Sequence, residues 1–297
     1  MLLKRLMALD VLRGLTIALM IMVNTPGSWQ YVYPPLRHAK WHGCTPTDLV
    51  FPFFLFIVGV SMWYSFKKYG GGLTKEGLRK VLKRFSVIFL LGVFLNLFPK
   101  FDFENLRILG VLQRIAIAYG IAAILCMSFN VKQLVGWFIT LLLGYWGLLY
   151  LSSSEDVFGL STNIVRDLDL AVFGENHIYK GFGIPFDPEG LLSSIPSVGT
   201  VLLGYFSGSM IERSSGTMAA IKNLIIYGIV GVVIGLVWDL VFPINKPLWT
   251  SSYVVYTGGL AMLFLSLLLW IIDVKGFKKW SQPFIHFGKN PLFIYVF

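Results

Sequence analysis

Apolar runs of near-constant length recur along this chain, separated by short polar segments. The runs near 6–25, 48–66, 108–129, 133–152, 190–211, 223–243 and 252–272 each approach the length one helix needs to cross a bilayer, about 20 residues. A shorter helix is expected at 85–99, closed by Pro99, and another begins near Pro283. The short alternating segments of a β-barrel are absent. Composition agrees: 56% of residues are hydrophobic and 13% charged, where a soluble domain carries about a quarter charged. The expected fold class is therefore all-α, a polytopic transmembrane helical bundle of about nine helices. A helix starting at Pro283 has only about 15 residues before Phe297, too few to span comfortably. We therefore expect residues 1–297 to form a single transmembrane domain whose last helix is incomplete, in a chain that is a fragment of a longer protein.

The net charge of +10 invites a nucleic-acid reading. In a membrane protein it reads better as topogenic, because positive charge collects in cytoplasmic loops. "KKYGGGLTKEGLRKVLKR" is the densest basic segment. Placing it inside puts the N-terminus inside too. The loop around "LRHAKWHGCTPTD", the 153–189 loop and "FPINKPLW" then face outward. Asp10 and Arg13 interrupt the first apolar run and no small-residue cleavage site follows, so that run is an uncleaved helix. Their i,i+3 spacing predicts a pair on one helix face. Cys44 and Cys126 make no disulfide framework and no CxxC pair.

Half of the four histidines fall in "LRHAKWHGCTPTD". His38 and His42 have the spacing of a helical metal pair, but Gly43 and Pro46 oppose a continuous helix and no third ligand is evident, so no metal is expected. His38, His177 and Lys246 lie on three outward loops that could meet above the bundle. Arg114 sits about two turns into its helix, where a charge needs a partner or a wet cavity. Either an ion pair with Asp48 or Asp239 or an anion contact would satisfy it. The 153–189 loop is rich in carboxylates and aromatics, including Asp187 and Glu189. Solvation alone accounts for such a loop, and sugar binding is the sharper reading. From composition alone the chain is a polytopic membrane enzyme or a transporter.

The succession "RLMALDVLRGLTIALMIMVNTPGSW", "LRHAKWHGCTPTDLVFPFFLFIVGVSM", "RILGVLQRIAIAYG", "NHIYKGFGIPFDPEGLLSSIPSV" and "PINKPLWTSSYV" resembles the transmembrane catalytic domain of the heparan-α-glucosaminide N-acetyltransferase family. The resemblance runs in order from Arg5 to about Tyr295, and its compact form is similar to bacterial members. It implies transfer of the acetyl group of cytosolic acetyl-CoA to the amine of a glucosamine-type sugar on the far side of a membrane, here a bacterial inner membrane. The family's essential histidine matches His38 in "RHAKWHG", and its asparagine matches Asn24 in "MVNTPG". His42 stands where the lysosomal enzyme has asparagine.

On that resemblance His38 is either the base or an acetyl carrier, and Asn24 is suited in type to hold an oxyanion. His177, Asp187, Glu189 and Lys246 are candidates for the sugar, with Trp41 or Trp249 as its stacking platform. Arg114, Lys67, Lys68 and Arg84 are candidate counter-charges for coenzyme A. The expected partners are acetyl-CoA, an amino-sugar acceptor and the bilayer, with a homodimer admitted and nucleic acid not expected. The alternative is an amino-sugar or oligosaccharide transporter without catalysis.

Overall fold

The computed structural model describes residues 6–66, 72–152 and 156–296. Among them are α1 Met7–Asn24, α2 Val50–Phe66, α3 Lys75–Leu97, α4 Val111–Ser128, α5 Val131–Tyr150, α6 Ile164–Phe173, α7 Ser194–Arg213, α8 Thr217–Asp239, α9 Ser251–Leu269, α10 Gln282–Lys289 and α11 Pro291–Val296. No β-strand occurs among these residues. Among the described residues, seven helical stretches are long and apolar enough to cross a membrane: α1, Pro46–Phe66, α4, α5, α7, α8 and Ser251–Val274. The all-α polytopic bundle expected from the apolar runs is therefore present.

Three elements differ from expectation. Helix α3 begins at Lys75 rather than near 85, because the Thr74 side chain caps it by accepting the Gly77 N–H at 3.1 Å. Lys and Arg are good helix formers, so the basic segment joins the helix instead of remaining a loop. Inside the supposed 153–189 loop lies α6, started by Asn163, whose side chain accepts from the Arg166 N–H at 2.9 Å. The last expected helix is two short ones, α10 and α11, divided at Asn290. Pro291 opens the second, a position where its missing N–H costs nothing.

Of the seven spans, α7 is the most enclosed, and α5 and α8 are the least. Outward residues of α8 such as Ile229, Val233 and Val237 are exposed and apolar, as a lipid-facing surface requires. Contact between α2 and α7 is made by small residues. A Cβ on Gly59 would overlap the Val201 carbonyl, and one on Gly204 would overlap the Phe56 carbonyl. Such close backbone approach is how helices gain packing energy without a hydrophobic drive.

The chain returns repeatedly to the end of the bundle where α1 finishes. There the 25–49 segment meets the loop between α8 and α9. The Gly43 N–H donates to the Ile244 carbonyl at 2.7 Å, and the Asn245 side chain donates to the Trp41 carbonyl at 3.0 Å. At the same end the 98–110 loop is tied to the segment between α6 and α7 through the Ile108 N–H, which donates to the His177 carbonyl at 3.1 Å.

Candidate active site

A cavity of about 740 Å³ is framed by α1, α2, α3, α4 and α11. Its two ends differ in chemistry. At the end where α1 finishes it is lined by Asn24, His38, Thr47, Lys246 and Glu189. Toward the other end it is lined by Arg13, Ser61, Lys80, Lys83, Arg84 and Lys289. Apolar residues such as Ile17, Met20, Phe54 and Val58 lie along it. Along α1 alone, Arg13 and Asn24 are separated by about 16 Å of helical rise.

His38 is held by Asp48. Its Nδ1 lies 2.6 Å from Asp48 Oδ1. The other carboxylate oxygen accepts three bonds at 3.0 Å, from the Ala39 N–H, the Thr45 N–H and the Thr45 hydroxyl. The local sequence explains this density. Thr45 and Asp48 form a capping box around Pro46, so the carboxylate that starts the helix also turns back over the preceding loop. The Tyr253 hydroxyl donates to the Asp48 carbonyl at 2.6 Å. Asp48 is 1% exposed while the His38 side chain is half exposed, so a buried, pinned carboxylate holds a half-exposed imidazole. Lys246 Nζ lies 3.1 Å from His38 Nδ1 and 3.4 Å from Asp48 Oδ1.

At the other end, Arg13 pairs with Asp10 at 3.1 Å, as their spacing predicts. It also donates to the Ser61 hydroxyl at 2.7 Å and the Gly288 carbonyl at 3.1 Å. The Arg84 guanidinium sits over the Tyr119 ring at 4.7 Å, and Lys80 pairs with Glu76. Glu189 is the one carboxylate that lines the cavity among the described residues. The half lined by Arg13, Lys83, Arg84 and Lys289 therefore has the character of an anion site.

A basic chamber joined to a histidine–aspartate pair suits transfer of a group from an anionic donor. The family model described as heparan-α-glucosaminide N-acetyltransferase, catalytic, matches residues 5–237. This chain belongs to that family. It is 29% identical to the heparan-α-glucosaminide N-acetyltransferase of Mus musculus over 99% of this chain and 53% of that protein. It is 28% identical to the Homo sapiens protein of the same name over 98% of this chain and 52% of that protein. The chain thus spans about half the length of these curated relatives.

Within this member of the family, the expected site residues divide. Asn24, His38, Glu189, Lys246 and Arg84 line the cavity. Lys67 and Lys68 lie outside the described residues. His177, Trp41, Trp249, Asp187 and Arg114 do not line it. His177 Nδ1 bonds the Leu106 carbonyl at 2.8 Å. Trp41 donates to the Phe158 carbonyl at 2.8 Å and packs edge-on against Phe182 and Phe186. Trp249 is fully buried against Phe51 and Tyr253. Asp187 is buried and grips Arg107 with both oxygens, at 2.9 and 2.6 Å. Glu189 joins that grip at 2.5 Å. Burial opposes the Arg107 charge, yet the two carboxylates outweigh it and hold its pKa above the ordinary value.

Arg114 pairs with neither Asp48 nor Asp239 among the described contacts. It is fully buried, lies 4.9 Å over the Trp249 ring, and donates to the Gly190 carbonyl at 3.3 Å and to the Ser193 hydroxyl. Asp239 instead accepts the Ile244 N–H at 2.5 Å. Burial first and the Asp48 charge second push the Cys44 thiol up to about 12, which disfavours the thiolate a nucleophile needs.

Sequence reasoning did not find the partnership of Asp48 with His38, or the cavity roles of Arg13, Lys80, Lys83 and Lys289. For Lys80, Lys83, Arg84 and Val87 the signal was present as i,i+3 and i,i+4 spacing, which puts them on one side of a helix.

Asp169 of α6 carries a prediction of its own. Its Oδ1 accepts the Leu191 N–H at 2.9 Å, and its buried Oδ2 has no hydrogen-bond partner among the described residues. Burial pushes its pKa up to about 7, from an ordinary 3.8, against the smaller pull of the Leu191 N–H. Between those values the native state holds a proton that the unfolded chain has released, so stability falls as pH rises. The loss is on the order of 4 kcal/mol, complete above the folded-state value. Asp169→Asn mimics the protonated form. It should flatten the decline in thermal midpoint between pH 5 and pH 8. An unchanged slope would place the pH dependence elsewhere.

Proposed function

We propose that this chain is a transmembrane N-acetyltransferase, moving the acetyl group of acetyl-CoA to the amine of a glucosamine-type sugar at the opposite membrane face. The observation that carries this reading is one cavity with cationic residues at one end and the His38–Asp48 pair at the other. Coenzyme A is polyanionic, and Lys83, Arg84 and Lys289 are suited to its phosphates. The positive-inside rule supports a cytosolic cationic end: Arg79, Lys132, Arg213, Lys278 and Lys279 belong to segments at that same end, the one where α1 starts. The N-terminus is then cytosolic and His38 faces the acceptor.

In this mechanism Asp48 takes the Nδ1–H of His38, which leaves a lone pair on Nε2 toward the cavity. The sugar amine gives its proton to Nε2 as its nitrogen attacks the thioester carbonyl. The carbonyl oxygen becomes an oxyanion, and the Asn24 amide is the donor suited to it. Collapse restores the carbonyl, breaks the C–S bond and releases the thiolate, which the proton held by His38 neutralises. Glu189 offers a carboxylate to the acceptor's hydroxyls or amine.

Vesicles containing the purified protein test this. Acetyl-labelled acetyl-CoA is supplied on the side of the cationic end and glucosamine on the other. Labelled N-acetylglucosamine should accumulate on the glucosamine side. Sugar passage without acetylation would replace the enzyme reading with a transporter.

A further inference from the structure

Lys246 sits at an unusual junction. An ammonium has only donors to offer, yet it reaches both His38 Nδ1 at 3.1 Å and Asp48 Oδ1 at 3.4 Å, which already bond each other at 2.6 Å. One ring nitrogen cannot donate to Asp48 and accept from Lys246 at once. Were Lys246 the donor to Nδ1, the ring proton would sit on Nε2. Nδ1 and Asp48 Oδ1 would then be two lone pairs facing each other at 2.6 Å. Asp48 Oδ2 already takes three donors, the pattern of an ionised carboxylate. The consistent assignment is that Nδ1–H and Lys246 both point at Oδ1.

The placement of Lys246 is built, not incidental. The loop that carries it is tied to the His38 loop through the two residues before the lysine and is closed on itself just after it. Ile244 accepts from the Gly43 N–H, the Asn245 side chain reaches the Trp41 carbonyl, and its oxygen holds the Leu248 N–H at 2.7 Å. The Lys246 side chain is only 18% exposed.

We propose that Lys246 is a positioning residue for His38, holding its imidazole neutral with the proton on Nδ1 so that Nε2 stays available as a base or nucleophile. A pinned carboxylate alone attracts a second proton to the ring and would fill Nε2. An ammonium beside the same ring opposes that second positive charge. Lys246 therefore balances Asp48. The other charges around His38 are already committed: Arg37 donates to the Val32 and Gln30 carbonyls, Glu189 holds Arg107, and His42 Nδ1 meets the Asn245 amide. Lys40 lies on the same loop and is exposed.

The value of a neutral Nε2 rests on the acetyl-transfer reading, but the test does not. Diethyl pyrocarbonate acylates unprotonated imidazole, and peptide mass spectrometry reads His38 separately from His42, His177 and His286. In Lys246→Met, modification of His38 at pH 6 should fall by about fivefold relative to the unaltered protein and recover by pH 8. Lys246→Arg should keep the original profile. A His38 profile unchanged in Lys246→Met overturns the proposal. Lys246→Gln serves as the same test should the methionine variant not fold. In an acetyl-transfer assay, the acidic limb of kcat/KM should move to higher pH in Lys246→Met. Shifted modification without any acetyl transfer would defeat the proposed function and leave the role of Lys246 standing.

Discussion

His38→Ala is expected to lower acetyl transfer by about 10²–10⁴-fold if His38 is the base, and to abolish it if His38 carries the acetyl group. Coenzyme A binding should survive nearly intact, because Lys83, Arg84 and Lys289 lie at the other end of the cavity. Folding should survive too. The imidazole is half exposed, and after its loss Asp48 still holds the Ala39 and Thr45 donors and the Lys246 ammonium. A split between unchanged binding and lost turnover is what removal of a group acting in the transition state produces. Incubation with labelled acetyl-CoA before sugar is added separates the two roles. Label found on His38 that chases onto glucosamine identifies a carrier, and turnover without an acetylated enzyme identifies a base. Wild-type turnover in His38→Ala would remove the dyad from the mechanism altogether.

The bundle was legible because each apolar run is long enough to commit to one element. What was hidden follows from charges that serve two purposes. Lys80, Lys83 and Arg84 satisfy the topogenic pattern, and that explanation concealed the fact that α3 extends through them and turns them toward the cavity. Helix α6 has no long apolar run, so only the cap at Asn163 and a short amphipathic pattern announced it. Asp48 looked like a charge at a membrane edge in need of a partner. It has one ten residues upstream, brought back by the turns around Gly43 and Pro46, which spacing arguments built on continuous helices do not reach. The aromatic platforms failed to appear in the cavity for a related reason. Trp41 and Trp249 resemble exposed sugar stackers by composition, but both pack within the stitched loops that hold His38 and Lys246 in place.

Asp48→Asn should be nearly as damaging as His38→Ala, although every heavy atom keeps its place. The amide must choose which side presents its oxygen. One side faces three donors, the Ala39 N–H, the Thr45 N–H and the Thr45 hydroxyl, so the oxygen belongs there. The NH₂ is then turned toward His38 and Lys246. An NH₂ can only donate, so His38 Nδ1 must accept and the ring proton moves to Nε2. The lone pair that takes the amine's proton is lost, and turnover should fall by about 10²–10⁴-fold, the range set by loss of a base and by the same exchange in serine proteases. Lys246 also loses its anion, which should cost about 1–3 kcal/mol and lower the thermal midpoint. Diethyl pyrocarbonate reactivity at His38 need not vanish, since a neutral ring persists, but the reacting nitrogen should change from Nε2 to Nδ1. Turnover within about threefold of the unaltered protein would show that the His38 tautomer has no bearing on the rate-limiting step.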